Sequence, residues 1–343
     1  MRNEIAAKGL WLVGLLMGAV LAHPGNAVAD VGDFYKGKSV NIIVGFPTGG
    51  GYDAYARAIA RTFGSHIPGN PTVIVQNMAG AGSLRAARYL QDVAPHDGTT
   101  FGTFDNGLLL AAIMAPSDGF DASKLSWIGA VSKDLQMIIT RDTSHAKTVD
   151  DLRKGETVFG ATGRDDIRYT STNVLKKLLG ANIKIVTGYP GTTDIRVAME
   201  RGEIDGISES WSSLKSTKPE WIEQKKINVL LQFGFSPHPE LPTVPMIGTF
   251  ARSPTELTAL ELIFSPSEAG RPYAAPPQIP ADRLTALRRA FDATMKDKDF
   301  IAFTTQAKLD VGPSTGEEVA GFLSKAYGSS SASIETARKL LEP

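Results

Sequence analysis

Val40-Asn41-Ile42-Ile43-Val44-Gly45-Phe46-Pro47-Thr48-Gly49-Gly50-Gly51-Tyr52-Asp53-Ala54-Tyr55-Ala56-Arg57 decides how this chain is read. Val40 to Val44 is a short apolar, β-branched run, the pattern of a strand covered on both faces. Pro47 has no N–H for a ladder and ends the strand. Three glycines then open dihedrals closed to other residues and let a ligand approach the backbone. Ala56, Ile59, Ala60, Phe63 and Ile67 recur at helical spacing, so a helix starts near Asp53. The N–H groups of that helix start, with the positive end of its dipole, form a ready anion site.

Working outward, the same order recurs. Thr72 to Asn77 is a strand leading into a second small-residue loop at Gly80-Ala81-Gly82-Ser83, where a helix with Leu84, Ala87 and Leu90 begins. Thr99 to Phe104 is a third strand, followed by Asp105-Asn106-Gly107 and a short helix from Leu108 to Met114. Repeated strand, loop and helix predict an α/β fold with a parallel sheet whose loops share its carboxyl-terminal edge. Trp127 to Val131 and Leu135 to Thr140 read as strands entering a second domain. There Glu156 to Gly163, Ile183 to Val186, Ile204 to Ser208 and Ile227 to Phe233 alternate with helices at 169–179 and 194–201. Leu260 to Ser265 reads as a strand returning to the first domain, and the proline-rich 272–280 as a loop. Helices are expected at 281–295, 317–327 and about 333–341.

The N-terminus carries Arg2 and Lys8, then a 13-residue apolar core from Leu10 to Ala22, then Ala27-Val28-Ala29. This is the pattern of a secretory signal peptide over 1–29. A membrane anchor is the other reading, but the core is short of the roughly 20 residues that span a bilayer. The whole chain has zero formal net charge, which gives no sign of a nucleic-acid partner. It contains no cysteine, which removes disulfides, zinc–thiolate sites and thiol nucleophiles.

No catalytic residue, metal or cofactor is expected. His66, His96, His145 and His238 fall in no paired-ligand pattern, and there is no G-x-S-x-G elbow. The triple glycine matches neither nucleotide-loop spacing. Asp53 reads as a helix-start residue satisfying N–H groups rather than as a general base. The chemistry lies instead in repetition. Loops of glycine and small residues follow strands at 46–53, 78–83, 162–168 and 188–193, two in each proposed domain. A cleft between the domains is then lined with backbone donors suited to carboxylates.

At this point the chain resembles the substrate-binding proteins of tripartite tricarboxylate transporters, the Bug or TctC type. The family's Pro-Phe-Pro-Ala-Gly-Gly, variable pair, Asp, variable pair, Ala-Arg is similar to Gly45 through Arg57. Its Val-Val-Val-Glu-Asn-Arg-Pro-Gly-Ala-Gly-Gly resembles Val73 through Ser83. Looser matches follow in order at Pro95 to Thr100, Gly188-Tyr189-Pro190-Gly191, Arg201 to Asp205 and Leu241 to Met246. The resemblance implies a two-domain periplasmic binding protein, a type II-like clamp of two mixed, mainly parallel sheets flanked by helices. Residues 30–130 plus 255–343 would form domain 1 and 131–254 domain 2. It implies capture of a small organic acid in the periplasm by a monomer, hinge closure, and delivery to a membrane permease pair. A sensor presenting the acid to a membrane signalling partner is the alternative, and an enzyme using Asp53, Glu209 and the arginines a third reading.

The ligand-binding residues expected on the first jaw are Phe46, Thr48, Gly49, Gly50, Gly51, Tyr52, Asp53, Gly80, Ala81, Gly82, Ser83 and Asn106. On the second they are Thr162, Gly163, Arg164, Arg168, Tyr189, Gly191, Thr192 and Glu209. Arg164 and Arg168 replace the glycines and serines usual in that family loop. They either pair with a ligand carboxylate or bond Asp165, Asp166 or solvent. Thr48 and Tyr52 are the other departures that bear on ligand choice, and Glu209 would accept an ammonium or hydroxyl or disfavour a second carboxylate.

Overall fold

The computed structural model describes residues 31–114, 119–133, 135–164, 166–234 and 237–342. The expected signal peptide and Asp165 lie outside these residues. The strands are β1 (Ser39–Val44), β2 (Thr72–Asn77), β3 (Thr100–Thr103), β4 (Ser126–Ala130), β5 (Gln136–Arg141), β6 (Thr157–Gly160), β7 (Ile183–Val186), β8 (Gly206–Ser210), β9 (Ile227–Phe233), β10 (Pro272–Ala275) and β11 (Ser314–Thr315). They form two mixed sheets, ordered β11-β4-β10-β3-β1-β2 and β7-β6-β8-β5-β9.

β1 is an interior strand of the first sheet, between β3 and β2, and is apolar on both faces. Val40, Ile42, Ile43 and Val44 are buried, and β1 pairs in parallel with β2 and β3. Parallel pairing puts the loops after β1, β2 and β3 at one sheet edge, as the repetition predicts. In the second sheet β6 pairs in parallel with β7 and β8, so the loops after β6 and β7 also share an edge. Tyr35, Tyr55, Phe63, Phe101 and Phe291 fill one core beside the first sheet. Leu175, Leu178, Phe159 and Leu231 belong to another core that reaches the second. Gly180, with φ of 61°, ends the Ile167–Leu179 helix in the left-handed conformation that a glycine adopts without strain.

Several expectations are corrected. Residues 260–265 are not a strand: Leu260 to Phe264 end the helix Pro254–Phe264, and Ser265 begins the 3-10 turn that follows. The Ser253 side chain accepts the Glu256 N–H and Pro254 sits in the first turn, a start signal that outweighs the apolar run. The 272–280 segment is not all loop: β10 lies between β3 and β4, antiparallel to both. Pro272 is tolerated there as the first residue of the strand. The strand at 127–131 does not enter the second sheet; β4 belongs to the first. The strand expected at 204–208 runs at Gly206–Ser210, so Glu209 lies within it rather than after it. The helices Val31–Tyr35, Trp211–Thr217 and Lys298–Gln306 were not expected from the pattern.

Candidate functional site

The loops of the two sheets meet edge to edge. A Cβ on Gly191 would fall 2.6 Å from Pro47 Cγ, and one on Gly163 would fall 3.0 Å from the Gly82 nitrogen. Where they meet, Phe46, Pro47, Gly50, Gly51, Tyr52, Thr192 and Thr193 enclose a cavity of about 10 Å³. That is room for about one water.

Two helices start at this cavity, one from each unit. Gly50 is the N-cap of Gly51–Ala60 and Gly191 the N-cap of Thr192–Glu200, and neither start carries a side-chain cap. Their dipoles therefore bring two positive ends to one point. Phe46 stacks on Tyr52 with ring centroids 4.8 Å apart. The Asn106 N–H donates to the Tyr52 hydroxyl at 3.0 Å. Thr48 is exposed.

Asp53 holds this loop in shape. Its carboxylate accepts from the Gly49 N–H at 3.0 Å, from Arg57 Nε at 2.9 Å and from Asn77 Nδ2 at 2.9 Å. Burial opposes its charge, but Arg57, the Gly49 N–H and Asn77 outweigh burial and hold the carboxyl below its usual range. Asp53 thus reaches back to the N–H before the cap rather than to the helix itself. The neighbouring loop is strained. Gly80, Ala81, Gly82 and Ser83 all have positive φ, at 143°, 47°, 58° and 75°. Two non-glycine residues in that region store strain of the kind found at ligand sites. Ser83 is buried, and its Oγ accepts the Asp105 N–H at 2.7 Å.

Arg168 is the buried cation of the joint. Nη1 donates to Asp166 at 3.1 Å and lies 3.6 Å from Asp105, while Nη2 donates to Thr192 Oγ1 at 2.7 Å. Its guanidinium carbon stands 5.4 Å from the Phe46 ring centroid. Burial works against its charge, but Asp166 and Asp105 outweigh burial and hold it firmly protonated. Asp166 also accepts from the Thr162 N–H and hydroxyl. Arg168 and Arg164 part company: Arg168 is buried in the joint, whereas Arg164 is exposed.

Glu209 is fully buried and paired bidentately with Arg196 through Nε and Nη2. It is therefore neutralised within its own unit. Tyr189 is half-buried and packs on the core beside Ile195 and Ile207. The pattern did not single out Asp105, Arg196 or Arg271. Arg271 is buried, 4.4 Å from the Tyr52 ring centroid, and Nη2 donates to Ser210 and Ser213 across the joint. In the sequence Asp166 figures only as a partner for Arg164 and Arg168. Its place before an apolar helix was the available signal.

Asp105 links the two units directly. Its Oδ1 accepts the Gly107 N–H at 2.9 Å and the Ile167 N–H of the other unit at 3.1 Å. Burial and the charge of Asp166 push its carboxyl up to about 7, from about 3.9 in an unfolded chain. Between these values the folded form keeps a proton that the unfolded form has lost. Stability is therefore expected to fall as pH rises from about 4 to about 7 and then to level off. Asp105→Asn keeps an acceptor for both N–H groups and should remove that decline. Urea midpoints across this range test it, and an identical decline in the variant would assign the effect elsewhere.

No family model matches the chain. Among curated sequences it is 25% identical over 322 residues to the protein BugT of Bordetella pertussis, covering 90% of this chain and 92% of BugT. A UPF0065 protein from the tcbD-tcbE intergenic region of Pseudomonas sp. (strain P51) is 25% identical over 233 residues, covering 65% of this chain and 66% of that protein. The fold matches the periplasmic binding protein BugD with a TM-score of 0.72 at 19% identity, covering 89% of this chain and 98% of BugD. The chain is similar in sequence to BugT and in fold to the Bug/TctC-type periplasmic binding proteins. Its two-sheet architecture is the fold of that group. MatC of Rhodopseudomonas palustris, solved with bound malate, matches with a TM-score of 0.69 at 17% identity over 89% of this chain and 99% of MatC. R. palustris Rpa4515, solved with adipate, matches at 0.68 and 18% over 88% of this chain and 97% of that one.

Proposed function

We propose that this Bug-type chain is a periplasmic solute-binding protein that captures a small organic carboxylate. The jaws are 30–130 plus 255–343 on one side and 131–254 on the other, acting as a monomer. Hinge closure traps the acid, and the loaded protein delivers it to a permease of the tripartite tricarboxylate type. The observation that carries this reading is the convergence of two helix starts without side-chain caps, one from each unit, on a single cavity. An anion there gains from both dipoles, and the buried Arg168 stands behind Thr192. Malate and adipate in two proteins of the same fold agree with that chemistry.

The cavity is too small for an acid with the jaws closed this tightly, so capture requires opening. Capture without turnover fits the acids present. Asp53 is committed to Arg57 and Asn77, and Glu209 to Arg196. A thermal-shift screen of dicarboxylates, tricarboxylates, amino acids and aromatic acids tests the reading. A true ligand at about 100-fold over Kd should add about 2.7 kcal/mol of stability. If no acid shifts the transition while a sugar or nucleotide does, the carboxylate reading fails.

A further inference from the structure

Arg164 lines a second, larger cavity. It has a volume of about 290 Å³ and lies behind the joint, among the 107–114 segment, the start of the Ile167–Leu179 helix and the C-terminal helix Ser331–Leu341. That approaches the roughly 300 Å³ at which small-molecule pockets begin. Leu108, Leu110, Met114, Ile167, Ile263 and Leu341 give it apolar walls. Among the described residues Arg164 and Arg338 border it as cations, and Glu342 borders it as the one acid.

Arg338 is held in place. Its Nε donates to the Ile113 carbonyl at 2.8 Å, which ties the side chain across the segment that lines the cavity. Among the described residues neither Arg338 nor Arg164 has a carboxylate within ion-pair distance, whereas Arg168 nearby has two. An apolar chamber bordered by two arginines is complementary to one kind of small molecule. It suits an anionic head on an apolar tail.

We propose that this cavity is a second binding site, for a monocarboxylic acid with an apolar tail. It is separate from the site between the two helix starts and does not depend on what that site takes. Both units contribute its walls. Gly107 and Ile167, which line it, are also the residues whose N–H groups converge on Asp105. The tailed acid therefore favours the closed joint, and by linkage a ligand that closes the jaws strengthens the tailed acid's binding.

Calorimetric titration of the purified protein with octanoate tests this, against butyrate as a head without the tail and 1-octanol as a tail without the head. Octanoate should bind with a single site and clearly tighter than either control. Arg164→Ala with Arg338→Ala should weaken it by at least about tenfold, the cost of losing charge-assisted hydrogen bonds. Met114→Trp should fill the chamber and block octanoate with no change of charge. Both arginines are exposed, so the double variant should fold whether or not the tryptophan is tolerated. The proposal is overturned if octanoate does not bind, if butyrate binds equally well, or if the arginine variant binds octanoate unchanged. Octanoate lodged between the jaws instead would be indifferent to Met114→Trp, and that outcome also overturns it.

Discussion

Gly191→Ala is expected to weaken capture of the acid by roughly 5- to 150-fold while leaving the fold intact. Gly191 has φ of −170°, extended backbone that any residue adopts, so the substitution adds no backbone strain. The main cost is steric and falls between the jaws. The new methyl would lie 2.6 Å from Pro47 Cγ and 2.8 Å from Cδ. A proline ring cannot swing aside as a long side chain can. Overpacking of this kind costs roughly 1–3 kcal/mol, and here only the closed form bears it.

The cost reaches the ligand through the closed population. Apparent affinity scales with the fraction of molecules able to close, so a penalty on closure weakens binding to the extent that it lowers the closed population. Unfolding stability should stay within about 0.5 kcal/mol, because opening relieves the clash. Small-angle scattering should show a larger radius for the variant without ligand, as the jaws separate. Unchanged affinity would mean that these two loops do not close on the ligand. A large drop in urea midpoint would mean that the contact holds the fold rather than the clamp.

The parts of the molecule that could be read from the sequence are those whose signal is local. β1 is declared by Val40, Ile42, Ile43 and Val44, four β-branched residues within five, and its loop by Pro47 and three glycines. The helix Pro254–Phe264 was misread because Ala259, Leu260, Leu262, Ile263 and Phe264 are all buried. Crowded into the last six residues, these apolar positions lack the amphipathic spacing that distinguishes a helix from a strand. β10 was misread because Pro272 at its start and Pro276, Pro277 and Pro280 after it suggest a loop, and nothing local says that Tyr273 and Ala274 are wedged between two other strands.

The site divides in the same way. Its backbone donors follow from glycine patterns, but its charges do not. Arg271 meets Ser210 and Ser213 from about sixty residues away, and Glu209 finds Arg196 across a strand and a helix. Such pairings are set by how sheets stack. Arg164 and Arg168 differ by one helical turn, yet one is exposed and the other buried. A loop without a fixed period gives no means of telling them apart.

Arg168→Ala is expected to cost about 3 to 5 kcal/mol of stability. Arg168 is nearly inaccessible, and the carboxylates of Asp166 and Asp105 are fully so. Removing the guanidinium leaves Asp166 buried without its cation and still facing Asp105. An unpaired buried charge is far more costly than the pair is favourable, so the loss reports mainly the stranded acid. Asp166→Asn added to Arg168→Ala should therefore return a substantial part of the loss. Asparagine still accepts the Arg168 backbone N–H that Asp166 Oδ1 accepts at 2.7 Å at the start of its helix. Arg168→Lys keeps the charge but lacks the planar fork that reaches Asp166 and Thr192 together. It should fall between the wild type and alanine in stability and bind acid weakly. Urea denaturation of the three variants decides the matter. A loss below about 1 kcal/mol for Arg168→Ala is what a solvated surface pair gives, and it would remove Arg168 as the buried charge behind the clamp. No recovery in the double variant would mean that the lost stability comes from packing against Phe46 rather than from the stranded carboxylate.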